Sequence, residues 1–102
     1  MGNYRSFNEV EESYFRDHPE EIDDYIKLIF EEYDQDGNIG ALLSSLRVLS
    51  RVKGVSKIAQ ETGLSRKGIQ KALSADGNPN FASINAILHA MGYRLFPQKL
   101  DA

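Results

Sequence analysis

SKIAQETGLSRKGIQKAL, residues 56–73, reads as two short helices with a tight turn between them. Ile58 and Ala59 give the first an apolar face. Gly63 follows Thr62 where that helix should stop, because glycine takes the left-handed C′ conformation without a Cβ clash. Leu64 can then point inward. Ser65 suits the N-cap of the second helix, since its hydroxyl accepts from a free backbone N–H. Ile69, Ala72 and Leu73 supply an inner face and leave Arg66, Lys67, Gln70 and Lys71 outside. A small residue in the first helix, glycine at the corner and a branched apolar residue in the second make the helix-turn-helix pattern. The outward cationic and amide side chains are those that pair with phosphates and with the acceptor edges of purines. The stretch therefore implies a reader of DNA.

A chain of 102 residues fits one domain with a modest core. Its hydrophobic share of 41% and charged share of 26% are those of an ordinary soluble globular protein. Cysteine is absent, which excludes a disulfide framework and a thiolate zinc site. The two histidines, His18 and His89, lie far apart and share no ligand motif. No apolar run is long enough to span a membrane. The opening MGNYRSFNEVEE has no basic region followed by an apolar stretch, which argues against secretion. Its first six residues match a myristoylation consensus, but short matches arise by chance and the acids that follow disfavour a membrane. The expected location is the cytoplasm, with no membrane partner.

The net charge of −3 conceals two unlike halves. Residues 1–37 carry twelve acids against Arg5, Arg16 and Lys27, a net −9. Residues 38–102 carry nine bases against Glu61, Asp76 and Asp101, a net +6. Such asymmetry points to separate partners for the two ends. A basic half can take a phosphate backbone by releasing counterions, and an acidic half is repelled from it. The plainer alternative is that the acids are the solvated face of a surface helix.

Residues 1–18 read as a loose N-terminal arm with one helical turn around residues 10–15 and aromatics at Tyr4, Phe7, Tyr14 and Phe15 that pack back on the domain or enter a partner. Residues 19–102 then form a single helical domain, an acidic helix over 19–35 followed by a DNA-binding core over 38–97. Pro19 suits the first helical position, and Glu20 and Glu21 complement the dipole. Ile22, Ile26, Ile29 and Tyr33 recur at helical spacing, so a helix runs from about residue 19 to 33. DQDGN at 34–38 breaks it. A calcium loop starting at Asp34 would need glycine sixth and glutamate twelfth, where this chain has Ile39 and Ser45. Leu42, Leu46 and Leu49 mark the next helix, 39–52, with Arg47, Arg51 and Lys53 placed to favour its dipole and to touch phosphate. SADGNPN, residues 74–80, is dense in turn formers. Phe81, Ile84, Ile87, Leu88 and Met91 mark a last helix ending at Gly92, with His89 beside its stripe as a structural residue. Tyr93 to Phe96 alternate, which predicts a short extended strand paired across a dimer. The fold is expected to be all-α, with about five helices and that C-terminal strand.

The run GVSKIAQETGLSRKGIQKALSADGNP, followed by a helix ending AMGYRL, resembles the addiction-module antidote proteins with a lambda-repressor-like (Cro/repressor type) helix-turn-helix. The resemblance covers roughly residues 7–97, and AQETGLSR, ALSADGNP and LHAMGYRL are its most specific parts. It implies an antitoxin that binds a co-encoded RelE/ParE-like toxin and represses its own operon as a homodimer on double-stranded operator DNA. It also implies DNA contacts from Ser65, Arg66, Lys67 and Gln70 at the start of the recognition helix, with Lys71 on the same face. Ser56 and Lys57 would meet phosphate at the start of the preceding helix, and Ser74 and Asn78 from the following loop. The chain departs from its relatives at Lys67, where an acid is common, and over Gly68-Ile69-Gln70. Gly68 costs up to about 1 kcal/mol of helix propensity, tolerable where close approach to another helix or to DNA requires it. Toxin contact falls to the acidic helix and the arm, because such toxins are basic.

Two other readings share much of this pattern. A stand-alone prophage-type repressor would use the same DNA chemistry without a toxin. A protein-interaction module without operator binding accords with the low net charge and Gly68. An enzyme is not expected. Glu20/Asp24 and Asp23/Lys27 lie on a water-facing helix with no nucleophile–base pair or metal set, and no cofactor is implied.

Overall fold

The computed structural model describes residues 7–74 and 78–101, the side chain of Phe7 excepted, and these residues hold six α-helices and no strand. In order they are α1 (Phe7–Asp17), α2 (Ile22–Asp36), α3 (Ile39–Lys53), α4 (Val55–Thr62), α5 (Arg66–Ala72) and α6 (Phe81–Ala90), with a 3₁₀ turn at Pro19–Glu21 leading into α2. Expectations for residues 1–6, for the Phe7 ring and for the turn at 75–77 lie outside the described residues.

Leucines at 42, 46 and 49 put one stripe of α3 inward, and Leu43 joins them. This helix is the hub: α1, α2 and α4 all pack on it. From there α4 reaches α5 and α6. The core runs unbroken from Phe15 through Ile26, Ile29, Leu46 and Leu49 to Ile58, Ile69, Leu73 and Leu88. Removing each such side chain from water contributes about 1.5–3 kcal/mol.

Segment ends follow from local chemistry. Gly37, with φ 65°, closes α2 by donating its N–H to the Tyr33 carbonyl at 2.7 Å. Asn38 opens α3 by accepting from the Ala41 N–H. Asp36 accepts from the Asn38 N–H at 2.8 Å, so two of the loop's oxygens serve helix ends. Among the described residues no three His, Asp or Glu side chains gather as a metal site.

Three features differ from expectation. Residues 7–17 form a three-turn helix rather than a single turn. Phe15 is buried and rests against Tyr25, and Glu12 holds both Arg16 (2.7 Å) and Arg51 of α3 (2.9 Å). Second, the turn at Pro19–Glu21 is 3₁₀, and the α-helix proper continues three residues beyond Tyr33. Third, residues 93–101 form no strand; the Tyr93 N–H instead donates to the Leu88 carbonyl, wrapping the chain around Gly92. An extended segment gains strand hydrogen bonds only from a neighbouring strand, and the described residues of a single copy offer none.

Tyr25 and Tyr93 tie the helices laterally. The Tyr25 hydroxyl lies 3.2 Å from both Glu11 of α1 and Ser45 of α3. Burial, more than the nearby Glu11, raises its pKa, and the Ser45 hydrogen bond acts against the rise. Tyr93 donates to Asp23 of α2 at 2.5 Å while Lys53 lies over its ring. Burial first, and then the Asp23 hydrogen bond and charge, hold this phenol well above the ordinary tyrosine range. With the folded pKa raised, the pair's contribution is complete below about pH 10 and declines as pH rises, because the unfolded chain releases the proton first. Tyr93→Phe should therefore flatten the alkaline limb of thermal unfolding measured between about pH 8 and pH 11.

Candidate nucleic-acid interface

Helices α4 and α5 are joined by only Gly63, Leu64 and Ser65. Thr62 fixes the corner: its hydroxyl donates to the Ile58 carbonyl at 2.8 Å and accepts from the Leu64 N–H at 3.1 Å. Gly63 has φ 77°, and its N–H donates to the Ala59 carbonyl. An added Cβ there would meet nothing within 4 Å, so any penalty is conformational. Gly63→Ala should cost about 1–2 kcal/mol in a denaturant titration, the cost of placing a Cβ in left-handed backbone.

Ser65 caps α5, accepting from the Gly68 N–H at 2.9 Å. A Cβ at Gly68 would press on that same Ser65 oxygen at 3.1 Å. Glycine here accommodates the cap of its own helix, and no neighbouring helix comes within 4 Å of the added Cβ. Ile69 and Leu73 anchor α5 inward. Arg66, Lys67, Gln70 and Lys71 occupy a continuous outer arc, all exposed.

One hydrogen bond ties the openings of the two helices. The Arg66 guanidinium Nη1 donates to the Ser56 hydroxyl at 3.1 Å. Ser56 and Lys57 are exposed at the start of α4, whose N-cap, Gly54, supplies no side-chain bond. The two helices carry Lys57, Arg66, Lys67 and Lys71 against one acid, Glu61. Ser74 is half-buried just past α5, its N–H donating to the Lys71 carbonyl at 3.3 Å, and Asn78 is exposed beyond residues 75–77. Thus Ser56 and Arg66 are in contact, Lys57, Lys67, Gln70 and Lys71 are at the surface without a partner among the described residues, and Ser65 caps α5 while staying exposed.

The basic end of α3 is arranged otherwise. Arg47 Nη1 donates to the Leu73 carbonyl at 2.9 Å, taking up an acceptor at the end of α5. Arg51 is held by Glu12, and Lys53 lies 5.4 Å from the Tyr93 ring centre. All three make contacts within the chain. No local pattern marks Arg47 as a brace for α5, since its partner lies 26 residues away.

No described helix is long and apolar enough to cross a membrane. No solved structure matches the chain. An uncharacterized protein of Haemophilus influenzae is 38% identical over 74 residues, which cover 72% of this chain and 76% of that relative. The profile of a family described as "probable addiction module antidote protein" matches residues 5–98. The chain belongs to that antidote family.

Proposed function

We propose that the chain is a DNA-binding antitoxin that represses its own operon as a homodimer in the cytoplasm and neutralises a basic RelE/ParE-like toxin. In this reading the α4–α5 pair is a lambda-repressor-like helix-turn-helix. The observation that carries it is the solvent-facing cationic arc of α5, with Arg66 already held by Ser56 at the opening of α4. Lys57, Arg66 and Lys71 take phosphates and fix the register, and Arg66, Lys67 and Gln70 read major-groove edges. Ser56, Ser65, Ser74 and Asn78 complete the contact edge.

The toxin is assigned to α2 and its flank. Asp24, Glu31, Glu32 and Asp34 form no ion pair among the described residues, and Leu28 is 47% exposed among them. An acidic helix with an apolar centre suits a basic partner.

Gel shifts on the DNA upstream of the gene test the first half. Wild-type protein should bind at low salt, and Arg66→Ala should weaken binding about 10- to 100-fold, the worth of a lost bidentate base contact. Absence of binding by folded wild-type protein at low salt would remove the DNA reading. Co-purification with the small basic product of a neighbouring gene tests the second half and separates an antitoxin from a lone repressor.

A further inference from the structure

Between Lys27 and Arg47 the chain carries the acids Glu31, Glu32, Asp34 and Asp36 and no Lys, Arg or His. This stretch is the second half of α2, its turn and the first half of α3, and a groove of about 110 Å³ lies between the two helices. Its floor is apolar. Ile29 and Leu42, one from each helix, line it from the core side. Tyr33 and Ala41 also line it and are exposed, so they stand nearer the mouth. Glu32 and Asp36 share the lining, exposed and one helical turn apart on the same face of α2. Neither forms an ion pair among the described residues. Asp36 Oδ1 accepts from the Asn38 N–H at 2.8 Å, which fixes that carboxylate and leaves its second oxygen for another donor.

A groove with an apolar floor and negative charge at its mouth has a specific complement. Its volume is well under the about 300 Å³ at which small-molecule pockets begin, so the guest is a single side chain. An aliphatic guest would leave both carboxylates unpaired, and an anionic one would be repelled. A long side chain with an apolar stem and a cationic head satisfies both levels. Arginine does so better than lysine. Its planar fork of donors can bridge two carboxylates, and its head is the more weakly hydrated of the two. Leu28, one turn before Glu32 and 47% exposed, adds an apolar contact beside the mouth.

We propose that the groove between α2 and α3 anchors a basic protein partner by taking one of its arginine side chains. The stem lies on Ile29 and Leu42, and the guanidinium sits between Glu32 and Asp36. The partner is the toxin of the proposed function, on which this assignment rests, and the contact narrows from a charged helix to one socket.

The first probe is acetyl-arginine methylamide, titrated into the isotope-labelled full chain and followed by its amide shifts in NMR. Saturable shifts should cluster over residues 29–45. Acetyl-citrulline methylamide, of the same shape without the charge, should bind at least about tenfold more weakly. Joint Glu32→Gln and Asp36→Asn replacement should weaken arginine binding by at least about the same factor. So should Ala41→Leu, which keeps every charge and fills the groove. Asp24→Asn, on α2 but outside the groove, should change it less than about threefold. Circular dichroism confirms that each variant keeps the wild-type helix content. The socket is overturned if shifts at residues 29–45 do not saturate, if citrulline binds equally, or if folded Ala41→Leu binds as wild type does. The second probe is the small basic product of the neighbouring gene, its affinity measured by calorimetry. Binding to wild type that the groove variants leave unchanged overturns the socket alone. No binding to wild type removes the toxin reading, a failure that the arginine titration keeps distinct from failure of the groove.

Discussion

Leu49→Ala should lower the free energy of unfolding by about 2–5 kcal/mol, the range for emptying a buried leucine site. Leu49 is 0% exposed. It stands on α3, the helix on which α1, α2 and α4 all pack, so neighbours on several sides would have to move to close the cavity. Rigid surroundings collapse poorly, which places the expected loss toward the upper part of that range. In a urea titration the midpoint should fall with the slope unchanged. A change below about 1 kcal/mol would mean that α3 is not the hub of the packing.

Operator affinity should fall about a thousandfold between about 50 and 200 mM salt. In the proposed binding mode Lys57, Arg66 and Lys71 would give three phosphate contacts per copy, hence six for a dimer, each releasing most of a counterion. The residues that do not take part matter as much. With Arg47, Arg51 and Lys53 bound inside the chain, the slope should not reach the steeper value of a dimer that also used α3. Lys71→Ala should reduce the slope by about two for the dimer and weaken all sequences alike. A slope insensitive to Lys57, Arg66 and Lys71 would place the phosphate contacts elsewhere.

What could be read in advance was the chemistry confined to a few neighbouring residues. Gly63 as a left-handed corner, Ser65 as an N-cap and the inward Ile69 and Leu73 follow from spacing alone, and the structure places them so. The three leucines of α3 were legible for the same reason, as one periodic stripe. Helix α1 was not. Its stretch is polar and only half exposed, and what holds it is Phe15 in the core together with Glu12 on Arg51, contacts that reach 39 residues along the chain. The alternation at Tyr93 to Phe96 is a true pattern that finds no strand to pair against among the described residues of one copy. Within the candidate interface the outward residues of α5 were identifiable from sequence. Two structural bonds were hidden, Arg66 to Ser56 and Arg47 to Leu73, because each joins elements through the fold. The role of Gly68 was visible only once the Ser65 oxygen had been located beside it.

The internal pairing of Arg51 with Glu12 has an effect on how the molecule travels. By cancelling charge where α1 meets α3, it leaves carboxylates concentrated along α2 and cations along α5, two helices of opposite sign. In the field of a polyanion such a body rotates before it touches, presenting its positive pole and trailing its negative one. If the proposed function holds, productive encounters would form a larger fraction of collisions, and the trailing pole would stay open to a cationic visitor while the leading one is occupied.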